Sequence, residues 1–188
     1  MEVTQAILSR RSIKHFTAAP VPADALERAL SAGRWAQNHH LTQPWRFIVL
    51  GPQTQRALAA AAAEEQLMAL APDDPARDKV RAGAEQKFLS KPAIVVVTYS
   101  LNPDGQLRLE DYVATCCAIQ LVQLAAWDDG LGMQWSSNRM TRHPRSYELF
   151  QIDPAQEEIV AFLYFGYPAS VPAPAPRKPL AEVLRRLP

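Results

Sequence analysis

Two short stretches of this chain concentrate side chains able to do chemistry. The first, "RRSIKHF", places Arg10, Arg11, Ser12 and Lys14 within five positions. An Arg fork matches phosphate oxygens bidentately, while Ser and Lys add a hydroxyl donor and a point charge, so side chains alone can hold a phosphate there. The competing reading is a basic helix C-terminus that complements the helix dipole and touches no ligand. The second stretch, "QNHHLTQPWRFIVL", sets Gln37, Asn38, His39, His40 and Gln43 in a polar loop ahead of an apolar run that reads as a strand.

Several chemistries lack the spacing they need. His39 and His40 are adjacent, so their side chains are expected to diverge and not share an ion. His15 and His143 form no HxxH or HxxxH pair, and Cys116-Cys117 has no CxxC gap, so no metal is expected. No GxGxxG or GxxxxGK[ST] loop is present, and seven glycines leave little material for one. Ser136 and Ser137 stand outside any GxSxG elbow, which argues against a hydrolytic triad. A flat aromatic cofactor fits better. Trp35 and Trp135 stand at element ends beside polar residues, where they can border a slot for a ring system. Trp45 and Trp127 read as packing, with Trp127 deep in an apolar helix.

The elements that must position these residues follow from pattern. Helices are expected over "EVTQAILSR", with Val3, Ala6 and Ile7 on one apolar face, over "PADALERALSAGRWA" and over the Ala-rich "TQRALAAAAAEEQLMAL". "LEDYVATCCAIQLVQLAAWDDG" reads as a core helix closed by Gly130. "RFIVL", "AIVVVTYS" and "EEIVAFLYFGYP" read as strands, the second buried on both faces, and "GMQWSS" as a short strand or turn. The segment Pro72 to Lys91 is polar, a mobile helix or lid. The proline-rich tail from Pro168 cannot fill interior strand positions and should run extended over a surface, its own or a second subunit's. Irregular alternation of helices and strands indicates an α+β domain spanning 1–188. With 20 Lys+Arg against 19 Asp+Glu, no broad field draws the chain to nucleic acid or anionic lipid. No apolar run is long enough for a membrane span, no secretory signal opens the chain, and the sparse cysteines suit a reducing cytoplasm.

Taken in order, four segments resemble the FMN-dependent nitroreductase-like flavoproteins. They are "ILSRRSIKHF", "AGRWAQNHHLTQPWRFIVL", "AIQLVQLAAWDDGLGMQWSS" and "FGYPASVPAPAPRKPLAEVL". The resemblance covers essentially the whole chain. It implies a three-layer α+β sandwich with a mostly antiparallel sheet between helices. It also implies a homodimer that exchanges C-terminal arms (about 168–188) and holds FMN at the subunit interface. By position, Arg10, Arg11, Ser12 and Lys14 would hold the phosphate, ribityl chain and pyrimidine edge, and Arg177 would return to the phosphate. Lys14 would also stabilise negative charge on the reduced flavin. Trp35, Asn38, His39 and Gln43 would reach the flavin, often from the other subunit, and Trp135, Ser136 and Ser137 would pass its ring. The second motif departs from the family's usual Pro-Ser, and resembles a short subgroup with histidine at position 39. The implied activity is ping-pong transfer from NADH or NADPH through flavin N5 to a nitroaromatic, quinone or similar small acceptor. The alternatives are a flavin-binding protein without turnover, or a relative with other flavin chemistry such as dehalogenation or dehydrogenation.

Overall fold

A computed structural model describes all 188 residues. The β-branched run Ala93–Ser100 forms β2, flanked antiparallel by β1 (Trp45–Val49) and β4 (Glu157–Gly166). β3 (Gly132–Ser136) completes the order β1-β2-β4-β3, again antiparallel to β4. Helices α1 (Val3–Ser9), α2 (Ala23–Gly33), α3 (Pro52–Leu67), α4 (Arg77–Leu89), α5 (Gly105–Asp128), α6 (Pro144–Phe150) and α7 (Leu180–Val183) make up the rest, with two single turns at His39–Leu41 and Arg139–Arg142.

Alternation along β2 and β4 divides the core between two faces. Val95, Val97, Leu163 and Phe165 meet Leu26 of α2 and Ile119 and Val122 of α5. Ile94, Val96, Phe162 and Tyr164 meet Leu58 of α3, Phe88 of α4 and Phe150 of α6. Helices on both faces explain why an antiparallel strand reads as an unbroken apolar run. The result is the expected three-layer sandwich. α5 starts at Asp104, whose carboxylate accepts the N–H groups of Gln106 and Leu107 at 2.8 and 3.0 Å, and Gly130 at φ +76° ends it.

The basic motif is fastened to the β3 edge of the sheet. Ser12 pairs in parallel with Met133, and the Ile13 N–H donates to the Met133 carbonyl at 3.0 Å. Gly132 and Gly166 face each other in register, and each leaves room for one side chain of the motif. A Cβ on Gly132 would sit 2.6 Å from Ile13, and one on Gly166 would sit 2.8 Å from Phe16. Both glycines are there for close approach.

Three expectations change. The apolar face of α1 is not covered within the chain: Val3 is 71% exposed and Ile7 56%, with only Ala6 buried. Polar ties hold α1 instead, since Trp127 Nε1 donates to Ser9 Oγ at 2.9 Å and the N-terminal ammonium meets Asp128 at 2.6 Å. Trp127 is therefore half-buried and hydrogen-bonded, not deep core. The segment 72–91 is no free lid, because α4 packs along α3 with Phe88 fully buried. The tail beyond Pro168 is exposed throughout, and extended apart from α7.

Candidate functional site

The structure collects the expected residues into two groups. In the first, the chain leaves α1 through Arg10 and Arg11 and runs beside β3. Arg10 is partly buried, and its guanidinium pKa is lowered first by that burial and then by repulsion from Arg11 and Arg177. Arg177, from the far end of the chain, is therefore near enough to repel Arg10. None of the three arginines pairs with a carboxylate. Arg11 divides its roles: one Nη donates to the carbonyls of Leu8 and Arg10, both at 2.8 Å, which closes α1, while its buried Nε has no partner. The helix-terminus reading of this cluster therefore holds for part of Arg11. It leaves Arg10 and Arg177 unexplained.

Lys14 lines a cavity of about 380 Å³ together with His15, Phe16, Lys87 and Lys91. No acid lines it. Lys91 Nζ donates to the Lys14 carbonyl at 3.2 Å and lies 5.4 Å from the ring centres of both Phe16 and Tyr164. Burial, then the charge of Lys87, lowers the Lys91 pKa. Sequence reasoning missed both lysines because they fall in the polar segment read as a lid. Their signal was spacing: Lys87 and Lys91 are four apart on either side of buried Phe88, just before β2.

Trp135, Ser136 and Ser137 leave the same edge on β3. Asn138 fixes this exit by donating to Ser136 Oγ at 3.1 Å and to the Tyr164 hydroxyl at 3.0 Å, while its carbonyl oxygen accepts the Met140 N–H. Burial pushes the Tyr164 phenol up to about 12, against smaller opposing effects of its Ser136 and Asn138 bonds.

The second group lies against α5. Thr42 Oγ1 donates to Asp111 Oδ1 at 2.6 Å, Asn38 Oδ1 accepts the Gln43 N–H at 2.9 Å, and Arg46 grips the Gln43 carbonyl at 3.0 Å. Inside this frame His40, Leu41 and Gln43 take φ of 53°, 53° and 45°. Left-handed backbone at three non-glycine residues costs about 1–3 kcal/mol each and concentrates where a loop's shape is used. It also corrects one expectation. His40 turns back on its neighbour, so the two imidazole centres lie 3.8 Å apart instead of diverging. Asn38 and His39 line a cavity of about 540 Å³ with Gln106, Glu110 and Cys117. None of the Lys14 group lines it, and Trp35 stands 86% exposed. One chain does not bring the two groups into a shared cavity.

Comparison with known proteins fixes the family. Residues 7–167 match the Nitroreductase family. This chain belongs to that family. The Bacillus subtilis protein YfhC, which carries the provisional name of an NAD(P)H nitroreductase, is 29% identical over 181 residues, 94% of this chain and 89% of YfhC. A nitroreductase-like family protein of Bacillus cereus superposes with a TM-score of 0.85 at 30% identity, covering 100% of this chain and 96% of the other. A protein of Desulfovibrio desulfuricans, provisionally described as a nitroreductase and solved in complex with FMN, gives a TM-score of 0.75 at 27% identity over 100% and 98%. This nitroreductase-family chain has no helix long and apolar enough to cross a membrane.

Proposed function

We propose that this chain is one FMN-binding domain of a homodimeric NAD(P)H-dependent oxidoreductase that reduces nitroaromatic, quinone or similar electron-poor acceptors. The observation that carries the reading is that Arg10 and Arg11 pair with no carboxylate while the buried Nε of Arg11 has no partner, with Arg177 near enough to repel Arg10. Uncompensated cations drawn from both ends of a chain ask for an anion, and the FMN phosphate carries roughly two negative charges near neutral pH. The orphaned Arg11 Nε and the acid-free cavity around Lys14 fit the same group. Membership of the family, and a relative that holds FMN, support it independently.

When bound, FMN supplies the redox chemistry, accepting a hydride from the nicotinamide at N5 and passing the electrons to the acceptor in a second half-reaction. This chain's residues place and polarise it. Arg10 and Arg177 would hold the phosphate and Ser12 the ribityl chain. Lys14, with Lys87 across the same cavity, would set positive charge at the pyrimidine edge, where negative charge accumulates on reduction. Trp135, Ser136 and Ser137 would border the ring, held in place by Asn138. His39, with Trp35, Asn38 and Gln43, would complete the site from the partner subunit, the arm 168–188 crossing in exchange.

The test is spectroscopic. The purified protein should show flavin absorbance, or regain it with added FMN, and anaerobic NADH or NADPH should bleach it until an acceptor restores the colour. Failure to take up FMN would sink the reading, and uptake without bleaching would make the chain a flavin-binding protein only.

A further inference from the structure

Past Ser137 the chain makes the turn Arg139–Arg142 and enters α6. Ser137, Asn138, Arg139, Arg142 and His143 line a cavity of about 350 Å³ there, with Glu65 of α3 opposite. It shares Glu65, Asn138 and Arg139 with a neighbouring cavity that also contains Lys87, and Lys87 is shared in turn with the cavity of Lys14. The three cavities are neighbours through these shared residues, and Arg10 and Arg177 line none of them.

The cavity of Ser137 and Arg142 has donors to spare. Glu65 is taken by Arg139 at 2.7 Å. Asn138 has spent both its amide nitrogen and its carbonyl oxygen on Ser136, Tyr164 and Met140. His143 Nδ1 accepts the Arg145 N–H at 3.2 Å, so neutral His143 carries its proton on Nε2 as a donor. No carboxylate pairs with Arg142. What remains is a guanidinium, an imidazole N–H and the Ser137 hydroxyl. A ligand rich in acceptor oxygens matches that set.

We propose that Arg142, His143 and Ser137 seat an anionic oxygen group, phosphoryl or carboxylate, on the molecule that exchanges at the flavin. The proposal rests on the flavin reading above, which places the ring beside Ser137. It makes Arg142 a specificity residue: the group it holds is remote from the reacting atoms and fixes which donor or acceptor docks.

The test compares FMN-loaded wild type with Arg142→Gln and Arg142→Lys. Reductants are NADPH, NADH and an uncharged N-benzyl dihydronicotinamide without phosphates, and acceptors are para-nitrobenzoate and para-nitrobenzamide. Binding of adenosine 2′,5′-bisphosphate to the oxidised protein, followed by calorimetry, gives a readout independent of turnover. Loss of one charge-assisted contact should weaken the phosphate- or carboxylate-bearing ligand roughly tenfold in Arg142→Gln, leave its uncharged counterpart within about twofold, and be partly restored in Arg142→Lys. Selective loss for NADPH assigns the group to the 2′-phosphate, equal loss for NADPH and NADH to the pyrophosphate, and loss for nitrobenzoate to the acceptor. Equal effects on charged and uncharged ligands, or none, overturn the proposal. So does loss of FMN from Arg142→Gln, which would move Arg142 into the cofactor's own site. If the wild type itself takes up no FMN, the flavin reading fails first.

Discussion

Replacing Gly132 with Ala tests whether the edge of the sheet positions the basic motif. The added Cβ would lie 2.6 Å from Ile13 Cγ1, 2.8 Å from its Cβ and 3.1 Å from Cγ2. Carbon atoms pack at about 3.5–4.0 Å, so Ile13 must retreat by roughly 1 Å. A rotamer change cannot achieve this, because Ile13 Cβ is itself too close and does not move with χ1. The backbone of the motif has to shift, against the 3.0 Å bond from the Ile13 N–H to Met133 and against a side chain with no exposed surface. Overpacking of this kind costs about 1–3 kcal/mol. At about 2–4 °C per kcal/mol for a chain of this size, Tm should fall by roughly 2–12 °C. Ser12 and Lys14 flank Ile13, so FMN affinity should fall with it. Urea unfolding and fluorescence titration of apoprotein with FMN measure the two effects. Gly83→Ala is the control for stability alone, since Gly83 lines the Lys14 cavity: nothing lies within 4 Å of its Cβ in α4, and the same substitution should stabilise by about 0.4–1 kcal/mol. Wild-type stability and FMN affinity in Gly132→Ala would refute the slot. Lost stability with intact FMN affinity would refute only its role in placing the motif.

Four other outcomes are expected. Arg177→Gln should weaken FMN binding roughly tenfold and reduce the salt dependence of that binding, read by titration at two ionic strengths; an unchanged Kd would remove the tail from the phosphate site. Tyr164 keeps its proton more tightly folded, at about 12, than unfolded, near 10, so stability falls as pH rises between those values. Tyr164→Phe should flatten that alkaline slope in chemical unfolding. Tyr99, also held at about 12, chiefly by burial, contributes its own share and should preserve the remainder. His39→Ala, at an exposed position, should leave Tm within about 1 °C while weakening FMN or altering acceptor KM, and wild-type values in both assays would take His39 out of the site. Removing residues 169–188 should yield a monomer with lost flavin, judged by sedimentation and absorbance; a truncated dimer retaining FMN would contradict the exchanged arm.

What was legible in the sequence was what local pattern controls. The run in β2 and the closing Gly130 each follow from a residue's own backbone preference. Four separated motifs were enough for the family, because their order survives where any one is loose. The site was only partly legible. Arg10 and Arg177 could be joined in advance through the resemblance, but no periodicity reveals that 167 positions of chain fold back on themselves. Lys87 was hidden because a polar helix looks alike whether its far face meets solvent or a cavity. The left-handed turn at His40 was hidden too, since histidine, though enriched at positive φ, adopts it too seldom to mark a position, and the expectation of diverging rings assumed ordinary backbone.

The uncovered apolar residues and the divided site have one explanation. Val3, Ile7 and Leu8 of α1, Leu109 and Val113 of α5, and Trp35 are all exposed, and they belong to the elements that carry the two half-sites. Full burial of each such side chain is worth about 1.5–3 kcal/mol, more than a small protein gives up without return. The strained His39 loop points the same way, because Thr42, Asn38 and Arg46 hold its shape while the His39 side chain makes no hydrogen bond in its own chain. A second copy that covered α1 and α5 is what the proposed dimer requires to bring one chain's loop to the other's basic motif. Assembly and cofactor binding would then be the same event seen from two sides, each strengthening the other by mass action. His39→Ala reads that coupling directly, since the proposed dimer puts His39 at the flavin of the partner and not at any ligand of its own chain.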